Sequence, residues 1–201
     1  MSEPERAKRP YRMRARAEAM AATRAKILEV CETTFDELPY DQITLAVIAE
    51  RAGVSVQTVL RHFQSREGLF LAVLVHLSER MAGDRDVEPG AAVEEIVDVL
   101  VDHYERFGDR VLRTLAQEDR VPTLRVLTDF GRIYHLDWCE QAFAPALKGL
   151  RGARRKRLAF QLVALTDIYT WKILRRDREL SVTQAKLAMR EMIEPLTERS
   201  R

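Results

Sequence analysis

The chain has 201 residues, of which 46% are hydrophobic and 32% charged, and its net charge is +2 at pH 7. This is the composition of an ordinary globular protein, and the low net charge excludes a chain that is polycationic throughout. The longest nearly apolar run, residues 158–165, is too short to span a membrane, and two distant cysteines favour a reducing compartment. We therefore expect a cytoplasmic protein with no membrane partner.

The N-terminal segment is rich in basic side chains. Pro4 and Pro10 discourage helix there and the segment has no apolar face, so residues 1–16 are predicted to form a flexible arm. This arm is either a solvated tail or a segment that lies along DNA phosphates or in a minor groove. Its acid-free basic run consists of Lys8, Arg9, Arg12, Arg14 and Arg16.

Residues 44–63 predict two short helices joined by a tight turn. Thr44 and Ser55 each precede a helical apolar pattern, where a side-chain oxygen can accept a hydrogen bond from an N–H group of the first turn. Gly53 lies where the first of these helices must end, and glycine adopts a positive φ at little cost. The pair is either a general helical hairpin or a helix-turn-helix.

The second short helix has two different faces. Val59 and Phe63 lie four residues apart and are predicted to point inward. The residues left on the outer face are small, polar or basic, as is typical of the recognition helix of a helix-turn-helix. They are Val56, Gln57, Thr58, Arg61 and His62.

Helical periodicity continues along the chain, and no alternating strand pattern occurs. We predict an all-α protein of about nine helices, with an N-terminal helix-turn-helix domain at residues 17–82 and a C-terminal helical domain at residues 88–201. Gly108–Asp109 is expected to separate two C-terminal helices, and one long helix is expected over residues 153–176. Ser181–Gln184 predicts a capping box at the start of the last helix.

Residues 23–69 resemble the DNA-binding domain of the TetR family of bacterial transcriptional regulators. The resemblance implies a ligand-responsive repressor that binds double-stranded DNA as a homodimer on a near-palindromic operator. It also implies that the last two long helices pair across the dimer, and that a small molecule in the C-terminal core changes the separation of the two recognition helices. The matching residues are Thr23, Ile27, Leu28, Phe35, Tyr40, Thr44, Ile48, Ala49, Ala52, Gly53, Val54, Ser55, Thr58, His62, Phe63, Glu67 and Leu69.

Two positions depart from the family pattern. The family usually has glycine where this chain has Gln57, and tyrosine where it has Leu60. That tyrosine commonly contacts a DNA phosphate, whereas Leu60 can meet only sugar or a thymine methyl group. Gln57 adds an amide that can form two hydrogen bonds with adenine, so we expect it to help set sequence preference.

The predicted DNA contacts divide into base and phosphate contacts. Arg61 is a candidate for a guanine or a phosphate, and the helix N-termini at Ser55 and Ser65 offer N–H groups to phosphates. Several hydroxyl and imidazole side chains match family positions that bond phosphates, and the basic arm adds salt-dependent affinity. The predicted set is Lys8, Arg9, Arg12, Arg14, Thr44, Ser55, Val56, Gln57, Thr58, Arg61, His62 and Arg66.

Aromatic side chains in the C-terminal domain are either ordinary core or the lining of a cavity for a small apolar or aromatic effector. Asp129, Arg132 and His135 are candidates for polar contacts there. His135 and Cys139 lie four residues apart, a spacing that can hold a metal or sense oxidation, although no third ligand is evident. The predicted lining consists of Tyr104, Phe107, Leu127, Phe130, Tyr134 and Trp138.

Other classes of function were weighed against DNA binding. The sequence has no nucleophile, metal or phosphate-loop motif of the common kinds, so we predict neither an enzyme nor a cofactor. A helical protein-interaction module is the alternative, as is an activator that uses no small-molecule ligand. The basic arm together with the helix-turn-helix argues against the interaction module.

Overall fold

The computed structural model describes the backbone of residues 4–198 and the side chains of residues 13–77 and 83–198. Within these residues it contains helices and no β-strand, which confirms the predicted all-α class. Ten α-helical segments occur in the described residues, and nine remain when the four-residue α7 is set aside. They are α1 (Pro4–Glu37), α2 (Leu45–Ala52), α3 (Val56–Phe63), α4 (Arg66–Gly83), α5 (Val93–Leu115), α6 (Pro122–Ala142), α7 (Ala144–Leu147), α8 (Gly152–Thr166), α9 (Ile168–Lys172) and α10 (Val182–Glu198).

The chain divides into two compact units, Met1–Ser78 and Glu79–Arg201. The core of the first unit takes buried side chains from α1, α2, α3 and α4, among them Ile27, Ile48 and Leu69. Cys31 of α1 is fully buried as well, and burial raises the pKa of its thiol to about 12. Cys31 therefore behaves as a small apolar core residue.

The N-terminal segment differs from the sequence prediction, because α1 begins at Pro4 and residues 4–16 are helical rather than an irregular arm. Proline is compatible with the first position of a helix, where its missing N–H group has no partner to lose. Alanine, arginine and glutamate, which have high helix propensity, dominate both sides of Pro10. Three residues of the predicted basic arm have side chains that the structure does not describe, namely Lys8, Arg9 and Arg12.

The second unit has one hydrophobic core, to which α5, α6, α8, α9 and α10 contribute. Its fully buried side chains include Leu100, Leu162, Trp171 and Met189. In the part of the chain that the structure describes, no helix is both long and apolar enough to cross a membrane.

Gly108 does not end a helix, contrary to the sequence prediction. α5 runs through Gly108 and Asp109 as far as Leu115. A Cβ atom on Gly108 would lie 2.6 Å from two ring carbons of Trp171, closer than such atoms can approach. Glycine is therefore present for close packing of the buried Trp171 ring on the α5 backbone.

The helix predicted over residues 153–176 is interrupted at Asp167. This residue has extended backbone, and its carboxylate caps α9 by accepting a hydrogen bond from the backbone N–H of Tyr169 at 2.8 Å. A π-helical turn, Ile173–Asp177, follows α9. The interruption brings Thr166 to the end of α8, where it is fully buried.

Candidate nucleic-acid interface

Two side-chain caps hold the starts of α2 and α3. The hydroxyl of Thr44 accepts a hydrogen bond from the backbone N–H of Val47 at 3.2 Å. The hydroxyl of Ser55 accepts one from the backbone N–H of Thr58 at 3.1 Å. Both predicted caps are confirmed, and each fixes the first turn of a short helix that would otherwise fray.

The turn between α2 and α3 depends on Gly53. This residue has φ 68° and ψ 34°, in the left-handed region that side-chain-bearing residues avoid. The following residue, Val54, donates its backbone N–H to the carbonyl of Ala49 at 2.9 Å and so closes the end of α2. The short turn sets α3 against α2, as predicted for a helix-turn-helix.

The two faces of α3 are those predicted from the sequence. Val59 and Phe63 are buried, whereas Val56, Gln57 and Arg61 are exposed. Within the described part of the chain, Gln57 and Arg61 make no hydrogen bond or ion pair with another residue. Their polar atoms are therefore available to a partner outside the chain.

Thr58 and His62 lie at the margin of this face. Thr58 is half-buried, and its hydroxyl lies 2.9 Å from that of Ser55. The half-buried His62 ring packs beside Phe63, with ring centroids 6.0 Å apart. Its Nε2 atom is enclosed without a hydrogen-bond partner. His62 therefore packs beside Phe63 at the edge of the face that was predicted to contact DNA.

The sequence suggested that Arg66 contacts a phosphate. In the structure its guanidinium instead forms hydrogen bonds with backbone carbonyls of the first unit. Its Nε donates to the carbonyl of Ile43 at 2.8 Å, and a terminal nitrogen donates to the carbonyl of Tyr40. The guanidinium carbon also lies 4.2 Å from the centroid of the Tyr40 ring and 5.2 Å from that of Phe70. These contacts hold the chain between α1 and α2 in place.

A second glycine was not anticipated from the sequence as part of this site. A Cβ atom on Gly68 would lie 2.2 Å from the carbonyl oxygen of Phe63, so only glycine lets α4 begin so close to the end of α3. Gln64, between the two helices, has φ 67°. A close approach and a strained residue therefore fix the C-terminal end of α3.

Basic residues of α1 add to the interface and were missed by the sequence analysis. The guanidinium carbon of Arg24 lies 5.3 Å from the Phe63 ring centroid, and Lys26 approaches the turn at Gly53. Arg14, which was predicted, is exposed and pairs with Glu18 at 3.0 Å. The α1 periodicity identifies its apolar stripe, but it does not reveal which polar residues lie beside α3.

The six aromatic and apolar residues predicted to line a ligand cavity in the second unit do not all lie together. Tyr134 and Trp138 both face the guanidinium of Arg85, and Phe107 packs against His103. Tyr104 and Trp138 belong to the hydrophobic core. Phe130 is 55% exposed, so its assignment to a cavity wall is wrong. The reason is helical phase, because α6 turns Val126, Phe130 and Ile133 outward. The half-buried members of the predicted set are Phe107, Leu127 and Tyr134.

The pair His135 and Cys139 lies in a buried hydrogen-bonded group with Thr166. The Thr166 hydroxyl oxygen is 3.1 Å from Nε2 of His135 and 3.2 Å from the sulfur of Cys139. Among the described side chains, no group of three His, Cys, Asp or Glu residues is placed to hold a metal ion. Burial raises the pKa of the Cys139 thiol to about 11, which disfavours the reactive thiolate.

An exposed recognition helix, capped at Ser55 and locked by the left-handed turn at Gly53, defines a helix-turn-helix protein. Residues 27–73 match the family model of bacterial regulatory proteins of the tetR family. The match spans the helix-turn-helix and parts of α1 and α4, so this region is similar to the DNA-binding domain of that family.

The N-terminal region also resembles curated relatives. Over 87 residues the chain is 34% identical to the HTH-type transcriptional regulator RutR of Escherichia coli strain K12, and to RutR of Shigella flexneri. Each alignment covers 41% of this chain and 41% of the relative, so the chain spans less than half the length of these relatives.

Two solved structures show the same fold over most of the chain. A TetR-family transcriptional regulator from Rhodococcus sp. superimposes with a TM-score of 0.66 and 17% identity, covering 88% of this chain and 99% of that chain. A transcriptional regulator from Rhodococcus sp. Rha1 gives 0.67 and 15%, covering 87% and 96%. These likenesses extend the fold assignment to the second unit.

Proposed function

We propose that the protein is a sequence-specific DNA-binding regulator of transcription that places α3 in the major groove. The observation that carries this proposal is the outer face of α3, where Gln57 and Arg61 are exposed and unpartnered on a helix whose inner face is buried. A surface helix whose position is fixed by two caps and a buried face presents its side chains reproducibly to a groove.

Base choice is assigned to Gln57 and Arg61. An exposed amide suits the N6 and N7 atoms of adenine, and a guanidinium suits the O6 and N7 atoms of guanine. Val56 and Leu60 supply apolar contacts to sugar or a thymine methyl group. With these contacts the chain can recognise a specific DNA sequence although it lacks the glycine and tyrosine usual at positions 57 and 60.

Phosphate contacts are assigned to the margins of the same face. The hydroxyl groups of Thr44, Ser55 and Thr58 lie at or near helix N-termini, where backbone N–H groups also favour an anion. Arg24 and Lys26 add positive charge beside α3 and the turn. Arg66 is left out of this set because its guanidinium serves the carbonyls of Tyr40 and Ile43.

We further propose a homodimer that pairs through α8 and α10. Both helices expose large apolar side chains, including Phe160 at 50% and Leu187 at 49%, and Met192 lies on the same last helix. A two-fold dimer would read two half-sites about 34–36 Å apart, or a multiple of that spacing. Replacement of Leu187 by Glu is expected to convert the dimer to a monomer in light scattering. The control is Val126→Glu, at an exposed apolar residue of α6 outside the proposed interface, which should remain a dimer.

We further propose that the protein acts in the cytoplasm as a repressor of transcription, and that a small effector controls its binding to DNA. This proposal rests on the similarity of residues 27–73 to the tetR family and on a second unit with its own core. An activator without an effector is the alternative, and a transcription assay in which the operator lies over or upstream of a promoter distinguishes the two.

The deciding experiment is selection of bound sites from a random DNA pool with the full chain. We expect a near-palindromic consensus, and affinity that falls steeply with salt because phosphate contacts release counterions. The Arg61→Ala variant should lose the consensus, whereas Arg125→Ala, which removes an exposed arginine from the second unit, should keep it. Failure to recover any consensus, with no binding at low salt, would contradict the proposed function.

A further inference from the structure

A buried arginine in the second unit lacks an anionic partner. Arg85 follows α4 by two residues, and only 6% of its surface is exposed. Its guanidinium carbon lies 4.7 Å from the Tyr134 ring centroid and 5.2 Å from that of Trp138. Within the described part of the chain, no carboxylate lies within ion-pair distance of Arg85, and its Nε has no hydrogen-bond partner.

The acidic residues on either side of Arg85 in the sequence do not pair with it, and Asp86 is exposed. Asp84, which precedes Arg85, pairs with Arg106 at 3.4 Å. The carboxylate of Asp167 accepts the backbone N–H of Tyr169 as the cap of α9. A buried guanidinium without a carboxylate is costly, and flanking aromatic rings offset only part of that cost.

Two buried histidines, His135 and His103, lie within electrostatic range of Arg85 and bring no negative charge. Nη1 of Arg85 lies 3.4 Å from Nδ1 of His135, and a guanidinium can only donate, so Nδ1 must be the acceptor. The proton of His135 then lies on Nε2, which faces the Thr166 hydroxyl at 3.1 Å. His103, only 2% exposed, has an Nδ1 atom without a partner.

Both imidazoles are neutral at physiological pH. Burial, followed by the charge of Arg85, lowers the pKa of His103 to about 3 and that of His135 to about 4. The cluster of Arg85, His103 and His135 therefore carries one fixed positive charge, one guanidinium nitrogen without a partner and one ring nitrogen without a partner. A missing partner for this cluster must be an anion.

We propose that the cluster of Arg85, His103 and His135 is the effector site and that it binds the carboxylate of a small organic acid. A planar guanidinium pairs with a carboxylate through two parallel hydrogen bonds, which fits the unpartnered Nε. The rings of Tyr134 and Trp138 provide an apolar surface for the rest of the acid. Because Arg85 is enclosed, binding of the acid requires the side chains packed around it to move apart.

The regulatory meaning of this site rests on the proposed function, but binding is tested independently of DNA. Benzoate, phenylacetate and hexanoate are each added to the full chain at about 10 mM, alongside the corresponding neutral amides, and thermal unfolding is followed by tryptophan fluorescence. We expect at least one acid to raise Tm by about 3 °C or more, with no comparable effect of its amide.

Variants of Arg85 identify the site. Arg85→Met removes the charge and should abolish the response to the acid while leaving Tm without ligand unchanged or higher, since an unpaired buried charge is lost. Arg85→Lys keeps the charge without the planar fork and should bind the acid at least about tenfold more weakly. Arg125→Met, at an exposed arginine of the same unit, should respond like the unaltered protein.

Three outcomes would overturn the proposal: none of the acids raises Tm, the amides raise it equally, or Arg85→Met responds as the unaltered protein does. DNA binding is measured on the same preparation without any acid. A protein that selects a DNA consensus but ignores the acids refutes only the effector site. A protein that binds an acid through Arg85 but selects no DNA refutes only the proposed regulator.

Discussion

The two units use polar side chains in opposite ways. In the first unit, Gln57 and Arg61 stand on the surface of a helix fixed by caps, and water satisfies them until a partner arrives. In the second unit, Arg85, His103 and His135 are buried. Their contacts within the described chain leave two nitrogen atoms, Arg85 Nε and His103 Nδ1, without partners. An exposed polar group costs little when unpaired, whereas a buried one is expensive, so the two arrangements point to different kinds of ligand.

The largest expected difference between the two units is in their stability at low pH. The pKa values of His103 and His135 in the folded protein lie near 3 and 4, below 6.5, so the unfolded chain binds protons first as the pH falls. Their contribution to stability is complete above pH 6.5 and is lost as the pH falls toward 4, by up to about 5 kcal/mol over two pH units.

Tryptophan fluorescence measures this loss in the second unit alone, since both tryptophans of the chain, Trp138 and Trp171, lie there. The double variant His103→Gln and His135→Gln should flatten the pH dependence between 6.5 and 4.5. An unchanged slope in that variant would assign the acid sensitivity to other groups.

Addition of a single methyl group at Gly108 tests the close packing of this residue in the second unit. Gly108→Ala places a Cβ atom against the Trp171 ring and should lower the free energy of unfolding by about 1–3 kcal/mol. Gly131→Ala, also inside a helix but with open space around it, should instead raise that free energy by about 0.5–1 kcal/mol. Urea unfolding followed by fluorescence compares the two, and equal effects would contradict the packing role of Gly108.

Removal of the Gln57 amide should change the DNA sequence preference of the first unit without affecting its fold. Gln57→Ala is expected to relax discrimination at one base pair by about 1–3 kcal/mol, measured by competition between operator variants. Gln141→Ala, at an exposed glutamine of α6 outside the proposed dimer interface, serves as the control. Equal weakening of the Gln57 variant on every DNA sequence would show that the amide does not read a base.

The cap of α3 offers the smallest expected effect and separates stability from binding. Ser55→Ala should cost about 1 kcal/mol of unfolding free energy, because the backbone N–H of Thr58 loses its acceptor. Ser55→Asp keeps an acceptor and should restore stability, yet it should weaken DNA binding by placing a negative charge near phosphate. Denaturation by circular dichroism and DNA titration, run together, reveal whether the two effects separate in this way.

Much of the first unit was predictable because its determinants are local. Thr44, Gly53 and Ser55 act on backbone groups within a few residues, and the inward and outward faces of α3 follow from helical spacing. The capping box at Ser181 and Gln184 was predictable for the same reason, and both of its hydrogen bonds form. The role of Arg66 was not predictable, because its partners Tyr40 and Ile43 lie more than twenty residues away along the chain.

The amino-acid sequence by itself determined the all-α class, the helix-turn-helix and the side chains that α3 presents, because each of these depends on neighbours within one or two helical turns. Only the tertiary structure decided that Gly108 packs against Trp171, that Phe130 faces outward, and that Arg85 contacts His135 in the interior of the second unit. Such features depend on which helices cross and at what rotation. Periodicity identifies a buried face, but only the packed structure shows which distant residues meet on it.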